Sequence, residues 1–482
     1  MMSNGVANHF ELTNESDKIK KAKNLKSKII FEKLNSIGIN NNSQLENLSL
    51  SLLGITEFGF INNSIRKKCW VYLLTHQMDR MRKEDDELIN VETNNLPHKD
   101  EDQVRLDTDR SFGYIKDSIL KNRLKRILYD IIIGTLKRNP QLNYYQGYHD
   151  VASIFVMIYY EDIVKNKYKK QINEMILILE IFTLMYLRDF MMDSLDFTID
   201  QLKIVTQILM KMNKKFVNKL KLDKQEPFYM ISSVLTIYSH HFKPKINQKY
   251  QDESNLIYEI FDMVICSQSM ILPLIIYSKF LLNNKNLLLK EYETNLEHFD
   301  NINDLIHASI QNAIVRSFQY TEKNRDHLKQ WYTILNEIRF SFINNKIKIP
   351  SLKGQINKYS PLLTTATNYN LKHFQFKTYD EVDLKSLMNK GIKLNKIRQN
   401  MDERQTKKLY RQQNYPFLLK ILDDQYMNLS PLIKISVCIA ILALCIKYSD
   451  QSSNGFILKI YHNMLFQNIL PKMKVRLTSS LK

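Results

Sequence analysis

IKDSILKNRLKRILYDIIIGTLKRNPQLNYYQGYHD, residues 115–150, reads as one helix, its end and the opening of the next. Ile115, Ile119, Leu120, Leu124, Ile127, Leu128, Ile131 and Ile132 recur at helical spacing, the pattern of a helix with one buried face. Asn139-Pro140 closes it, because the residue before a proline avoids the α conformation. Gln146 then stands at the opening of a further run through Val151, Ile154 and Phe155. The same periodicity extends outward. Leu202, Val205, Ile208, Leu209, Met212, Phe216 and Leu220 form a second stripe, and helices fit 172–186, 228–240, 256–266 and 270–282. Nothing alternates with period two over a strand length, and no fixed-period repeat of the kind that marks a solenoid recurs.

Composition agrees with an all-α fold. Glycine and proline number ten each among 482 residues, about 2% apiece, against usual levels of roughly 7% and 5%. Large sandwiches, barrels and propellers need those residues in their turns, so they are excluded together with collagen-like chains. A hydrophobic content of 44% is enough for a sizeable core. Four cysteines, Cys69, Cys266, Cys438 and Cys445, have the spacing of neither a disulfide framework nor a zinc site, and a reduced compartment is expected. The N-terminus is polar with no apolar core, and no cleavable secretory signal is expected.

The formal net charge is +19, which suits nucleic acid, an anionic membrane or an acidic partner. Its distribution is uneven: Lys385–Arg411 holds nine Lys/Arg and two acids. No zinc-finger spacing or RNA-recognition signature accompanies it, so no nucleic acid partner is expected. Five segments follow: a polar extension at 1–50, a helical domain at 51–348, a basic linker at 349–430, a candidate transmembrane anchor at 431–448 and an amphipathic tail at 449–482. The apolar run LIKISVCIAILALCIKY, 432–448, would span about 25 Å as a helix, the lower limit for crossing a bilayer. That length also suits a buried core helix. The absence of a polar face apart from Ser436 favours the membrane.

Three short motifs fall in order inside the helical block. Arg66 precedes Trp70 by four residues, Asp107 precedes Arg110 by three, and Tyr144, Gln146, Gly147 and Asp150 lie within NYYQGYHD. Singly, each has an ordinary structural reading: a core tryptophan with an arginine beside it, a surface arginine at a helix start, a polar residue opening a helix. Together they resemble the TBC domain of Rab GTPase-activating proteins, whose pattern is Arg-x-x-x-Trp, then an aliphatic-x-x-Asp-x-x-Arg, then Tyr-x-Gln followed by glycine. The resemblance runs from about residue 54 to 345. Val104 stands where the family often has isoleucine, Asp109 puts an acid beside Arg110, and Tyr148-His149 replaces the commoner Met-Asn. That last pair is similar to a smaller TBC subgroup with a C-terminal membrane segment on the endoplasmic reticulum.

The resemblance implies a two-lobed helical domain that accelerates GTP hydrolysis on a bound Rab in its GTP state. It makes Arg110 an arginine finger and Gln146 a glutamine finger, both catalytic and supplied in trans. Asp107 and Tyr144, and less directly His149 and Asp150, would hold the fingers. Arg66 and Trp70 are assigned to structure. Phosphoryl transfer needs spread charge stabilised and a water oriented; a guanidinium suits the first task and an amide, which donates and accepts, the second. No cofactor of its own is expected, since GTP and Mg²⁺ belong to the partner: Gly54 and Gly59 have Walker A spacing, but Phe60-Ile61 follows in place of Lys-Ser/Thr. The resemblance places the chain on the endoplasmic reticulum or early secretory membrane, catalytic domain in the cytosol, acting in ER-to-Golgi traffic. The rival expectation is a TBC-fold scaffold that binds a Rab without catalysis.

Overall fold

α1 (Ser3–Ser36) and α2 (Ser43–Ile55) occupy the N-terminal stretch expected as a polar extension. In the computed structural model, which describes residues 3–36, 43–79, 97–244, 256–298, 301–318, 325–365 and 368–424, this stretch is docked. Ile30 and Leu50 are buried, and the Lys26 ammonium donates to the Glu57 carbonyl (2.6 Å) and the Thr56 hydroxyl (3.0 Å). A few apolar residues in an Asn/Lys/Ser-rich background give little periodic signal, which is why the sequence reads as an extension.

α3 (Asn63–Gln77) starts where the Asn62 side chain accepts the N–H of Ile65 (3.0 Å), satisfying one orphan donor of the first turn. A two-residue strand, β1 (Met78–Asp79), follows, and after it α4 (Glu101–Asp109). α5 (Ser118–Arg138) is capped by Asp117, which accepts from Leu120 N (3.0 Å), and it ends before Pro140, with Asn139 already outside helical geometry. Leu124, Ile127, Leu128, Ile131 and Ile132 face the core, but Ile119 is 73% exposed. Ile119 and Leu120 point about 100° apart on a helix, so the stripe takes only one of them. Ile115 is buried from the loop ahead of the helix.

α6 (Tyr148–Met157), α7 (Tyr160–Val164) and α8 (Ile172–Phe182) follow, α8 running into a π turn at Thr183–Leu187. α9 (Asp196–Leu220) carries the second stripe and breaks at Asn213, whose side chain accepts from Phe216 N (3.1 Å) as an N-cap does; Met212, beside the break, is 40% exposed. Residues 228–240 are not one helix. A 3-10 turn leads into α10 (Ile231–Val234), and Ile237 and Tyr238 then take φ of 47° and 67°. Thr236 and Ser239 hydroxyls donate to the carbonyls of Ser232 and Thr236 (both 2.7 Å), a local competition that disfavours continuing a helix.

α11 (Leu256–Ser267) lies against α2 and α3. α12 (Ile271–Asn283), α13 (Lys285–Asn295), α14 (Ile302–Phe318) and α15 (Arg325–Ile343) complete the block. Trp70, Phe155, Phe182 and Phe261 bring α3, α6, α8 and α11 together, with ring centroids 5.1–6.1 Å apart, the spacing of favourable aromatic pairs.

The first part of 349–430 is not a linker. Leu352, Ile356, Leu362, Phe374 and Phe376 are buried. The Asn370 amide accepts from Ile347 N (3.1 Å) and donates to Ile347 O (2.9 Å). α16 (Pro361–Thr365) lies in this segment, and β2 (Tyr379–Asp380) pairs in parallel with β1. Such a segment has no period, because irregular backbone is buried through side-chain amides instead of a repeating face. The basic residues sit on α17 (Glu381–Asp424), whose Leu384 and Met388 are buried. The chain divides into two compact units, 1–398 and 399–482, and the described part of the second is the remainder of α17. The candidate anchor at 431–448 and the tail lie outside the described residues. Among the described residues, no helix is long and apolar enough to cross a membrane.

Candidate functional site

α4 delivers two of the expected residues. Asp107 is fully buried in its last turn, and Arg110 caps its C-terminus with a side chain 56% exposed. The guanidinium pairs with Asp107 Oδ1, which also accepts from Gln103 Nε2 (3.1 Å). Phe112 follows with φ of 58° and a buried ring, fixing how the chain leaves Arg110.

The loop 142–147 delivers the others. Tyr144 N donates to Asp100 Oδ2 (2.8 Å), Asn143 N to Met191 O (2.9 Å), and the Tyr145 hydroxyl to Leu235 O (2.8 Å). The loop is thus fastened from three sides. Tyr148 N donates to Tyr145 O (3.0 Å) around Gln146 and Gly147, with Gly147 at φ 111°. A turn with its second central residue in the left-handed region favours glycine, and a Cβ there would lie 2.9 Å from Thr236 Cγ2. Gln146 is exposed at the corner of this turn. Among the described residues nothing engages its amide.

One carboxylate joins the two elements. The Tyr144 hydroxyl donates to Asp107 Oδ2 (2.7 Å) and lies 2.9 Å from His149 Nδ1. His149 Nδ1 is itself 3.3 Å from Asp107 Oδ2, and its Nε2 is 3.8 Å from Asp150 Oδ2. Asp150 is held in turn by His240 Nδ1 (2.8 Å) and the Lys243 ammonium. Burial alone would raise the Asp150 carboxyl, but the His240 hydrogen bond, Lys243 and His149 hold it down to about 2. Burial lowers His149 against the opposing pull of Asp150 and Asp107, and it raises the Tyr144 hydroxyl, reinforced by the bond to Asp107. Arg110, Asp107, Tyr144 and His149 therefore form one connected network, with Asp150 3.8 Å from the far nitrogen of the ring and Gln146 two residues from Tyr144.

Arg66 and Trp70 lie elsewhere, in the core. Asp262 accepts from Arg66 Nε (3.0 Å) and Nη2 (3.0 Å), from Trp70 Nε1 (2.7 Å) and from Phe60 N (2.9 Å). Sequence reasoning did not find Asp262, His240 or Lys243. They lie 90 to 202 residues from their partners, and no local pattern marks them. Gln103 was legible, four residues before Asp107 on one helix face.

Residues 63–289 match the family described as the Rab-GTPase-TBC domain. The chain carries a TBC domain. Relatives of this chain include GTPase-activating protein GYP8 of Saccharomyces cerevisiae, 38% identical over 332 residues, which cover 66% of this chain and 63% of that protein. GTPase-activating protein gyp10 of Schizosaccharomyces pombe is 27% identical over 46% of this chain and 54% of its own length. TBC1 domain family member 20 of Homo sapiens is 28% identical over 40% of this chain and 44% of its own. The chain thus spans less than two thirds of each of these relatives. Among the described residues, no group of three or more His, Cys, Asp or Glu is arranged to hold a metal.

Proposed function

We propose that the protein is a GTPase-activating protein for a Rab-family GTPase in its GTP state, with Arg110 and Gln146 reaching into the partner's nucleotide site. One observation carries this reading. Arg110 is more than half exposed yet anchored by the fully buried Asp107, and the same carboxylate ties down Tyr144, the residue just ahead of the turn bearing Gln146. A guanidinium held by a buried carboxylate and an amide carried on a fastened turn, both presented outward, are what in-trans stabilisation of a phosphoryl transition state needs. The names of the two yeast relatives support the activity. GTP and Mg²⁺ come with the partner. The Tyr148-His149 pair and the apolar run at 432–448 support a place on the endoplasmic reticulum or early secretory membrane, facing the cytosol and serving ER-to-Golgi traffic.

Single-turnover GTP hydrolysis across a panel of Rabs tests the reading. An arginine finger contributes about 10³–10⁵ in rate. Arg110→Ala is expected to lose a factor of that order while still binding the GTPase, and Gln146→Ala to lose a comparable one. Binding without stimulated hydrolysis by the wild-type protein would establish the scaffold reading instead.

A further inference from the structure

We propose that His149 is a positioning residue which, as an Nδ1–H donor, fixes Asp107 and through it the direction of Arg110. The inference deepens the proposed function and rests on it for its kinetic consequence alone.

The argument is a count of protons. The Tyr144 hydroxyl has one hydrogen to give and two acceptors in reach, Asp107 Oδ2 at 2.7 Å and His149 Nδ1 at 2.9 Å. Asp107, paired with Arg110, is a carboxylate with no hydrogen of its own to offer. A buried carboxylate oxygen is the stronger acceptor, so the tyrosine hydrogen goes to Asp107. The hydroxyl oxygen is then left to accept, and His149 Nδ1 must carry a hydrogen to face it. That hydrogen forks between Tyr144 Oη and Asp107 Oδ2, the latter 3.3 Å away.

The other tautomer breaks the chain. With the hydrogen on Nε2, the Nδ1 lone pair would face a hydroxyl oxygen and a carboxylate oxygen at these short distances. Tyr144 would relieve the clash by turning its hydrogen to His149, and Asp107 Oδ2 would lose both donors at once. A fully buried carboxylate without donors on one oxygen is costly, and it would rotate to recover them, carrying Arg110 with it. The groups facing His149 are Arg110 and Asp107 from α4, Tyr144 from the loop, Asp150 on its own helix, and Lys243 and His240 behind Asp150. Asp150 Oδ2 already accepts from His240 and lies 3.8 Å from Nε2, beyond hydrogen-bond reach. The neutral ring is therefore not required to donate there.

Two measurements on the full chain test this. Nitrogen-15 NMR of histidine-labelled protein, with the His149 signals identified by their loss in His149→Asn, should show a protonated Nδ1. A protonated Nε2 with bare Nδ1 overturns the inference whether or not any GTPase is stimulated. The kinetic arm compares substitutions. An asparagine amide nitrogen falls close to the Nδ1 position and a glutamine amide close to Nε2, so His149→Asn should keep the stimulated rate. His149→Gln should lower kcat, with KM unchanged, by up to about 10²-fold, the cost of a misplaced catalytic group. Equal rates for Gln and wild type, or equal losses for Asn and Gln, overturn the inference. Wild-type protein inactive on every Rab would defeat the proposed function and leave the tautomer measurement to decide this one.

Discussion

Asp150 is nine-tenths buried and still holds a full negative charge, because His240, Lys243 and His149 surround it. Its carboxyl is depressed from 3.8 to about 2. A depressed acid contributes stability above its unfolded value and loses it as pH falls through the folded one. At about 1.4 kcal/mol per unit, the contribution is about 2 kcal/mol, lost between roughly pH 3.8 and pH 2. Urea unfolding of wild type and Asp150→Asn across that window should show a stability gap that closes as pH drops; a constant gap would refute the assignment. Nothing local to Asp150 reveals His240 and Lys243. The support of Arg110 by Asp107, by contrast, is implied by the family resemblance, although Arg110 ends α4 where the sequence read alone puts it at a helix start.

α5 shows what periodicity can and cannot tell. It marks the helix, its buried face and its end, because those follow from 3.6 residues per turn and from a proline. It does not decide between neighbouring apolar residues at the entrance, where Ile119 stays in solvent and Ile115 is buried before the helix begins. Ile119→Lys should therefore change stability by no more than about 0.5 kcal/mol. Ile131→Ala should cost about 2–5 kcal/mol by leaving a cavity. Denaturant titration of the pair checks both, and a large loss at Ile119 would contradict its exposure. The stretch 228–240 misleads for another reason: its serines and threonine bind nearby carbonyls and turn the chain where apolar spacing alone predicts a helix.

At the scale of the whole molecule, the sequence places the domain boundary too early, because burial at 349–398 uses amide and hydroxyl contacts that carry no period. A chain ending at residue 348 would forgo Leu362, Phe374, Phe376 and Leu384, each contributing about 1.5–3 kcal/mol by burial, and would leave Asp189 without its Ser360 and Asn357 donors. Calorimetry should find it melting at least about 5 °C below a chain ending at 424, and equal melting points would show the segment to be dispensable. The knot of bonds on Asp262 has a consequence in time. Arg66 and Asp262 are 196 residues apart. At about 5–20 residues per second on the ribosome, roughly 10 to 40 s separate their emergence. For that interval the first helices expose a guanidinium and an indole whose shared counterion has not been made. The N-terminal half must wait for a single aspartate to lock it.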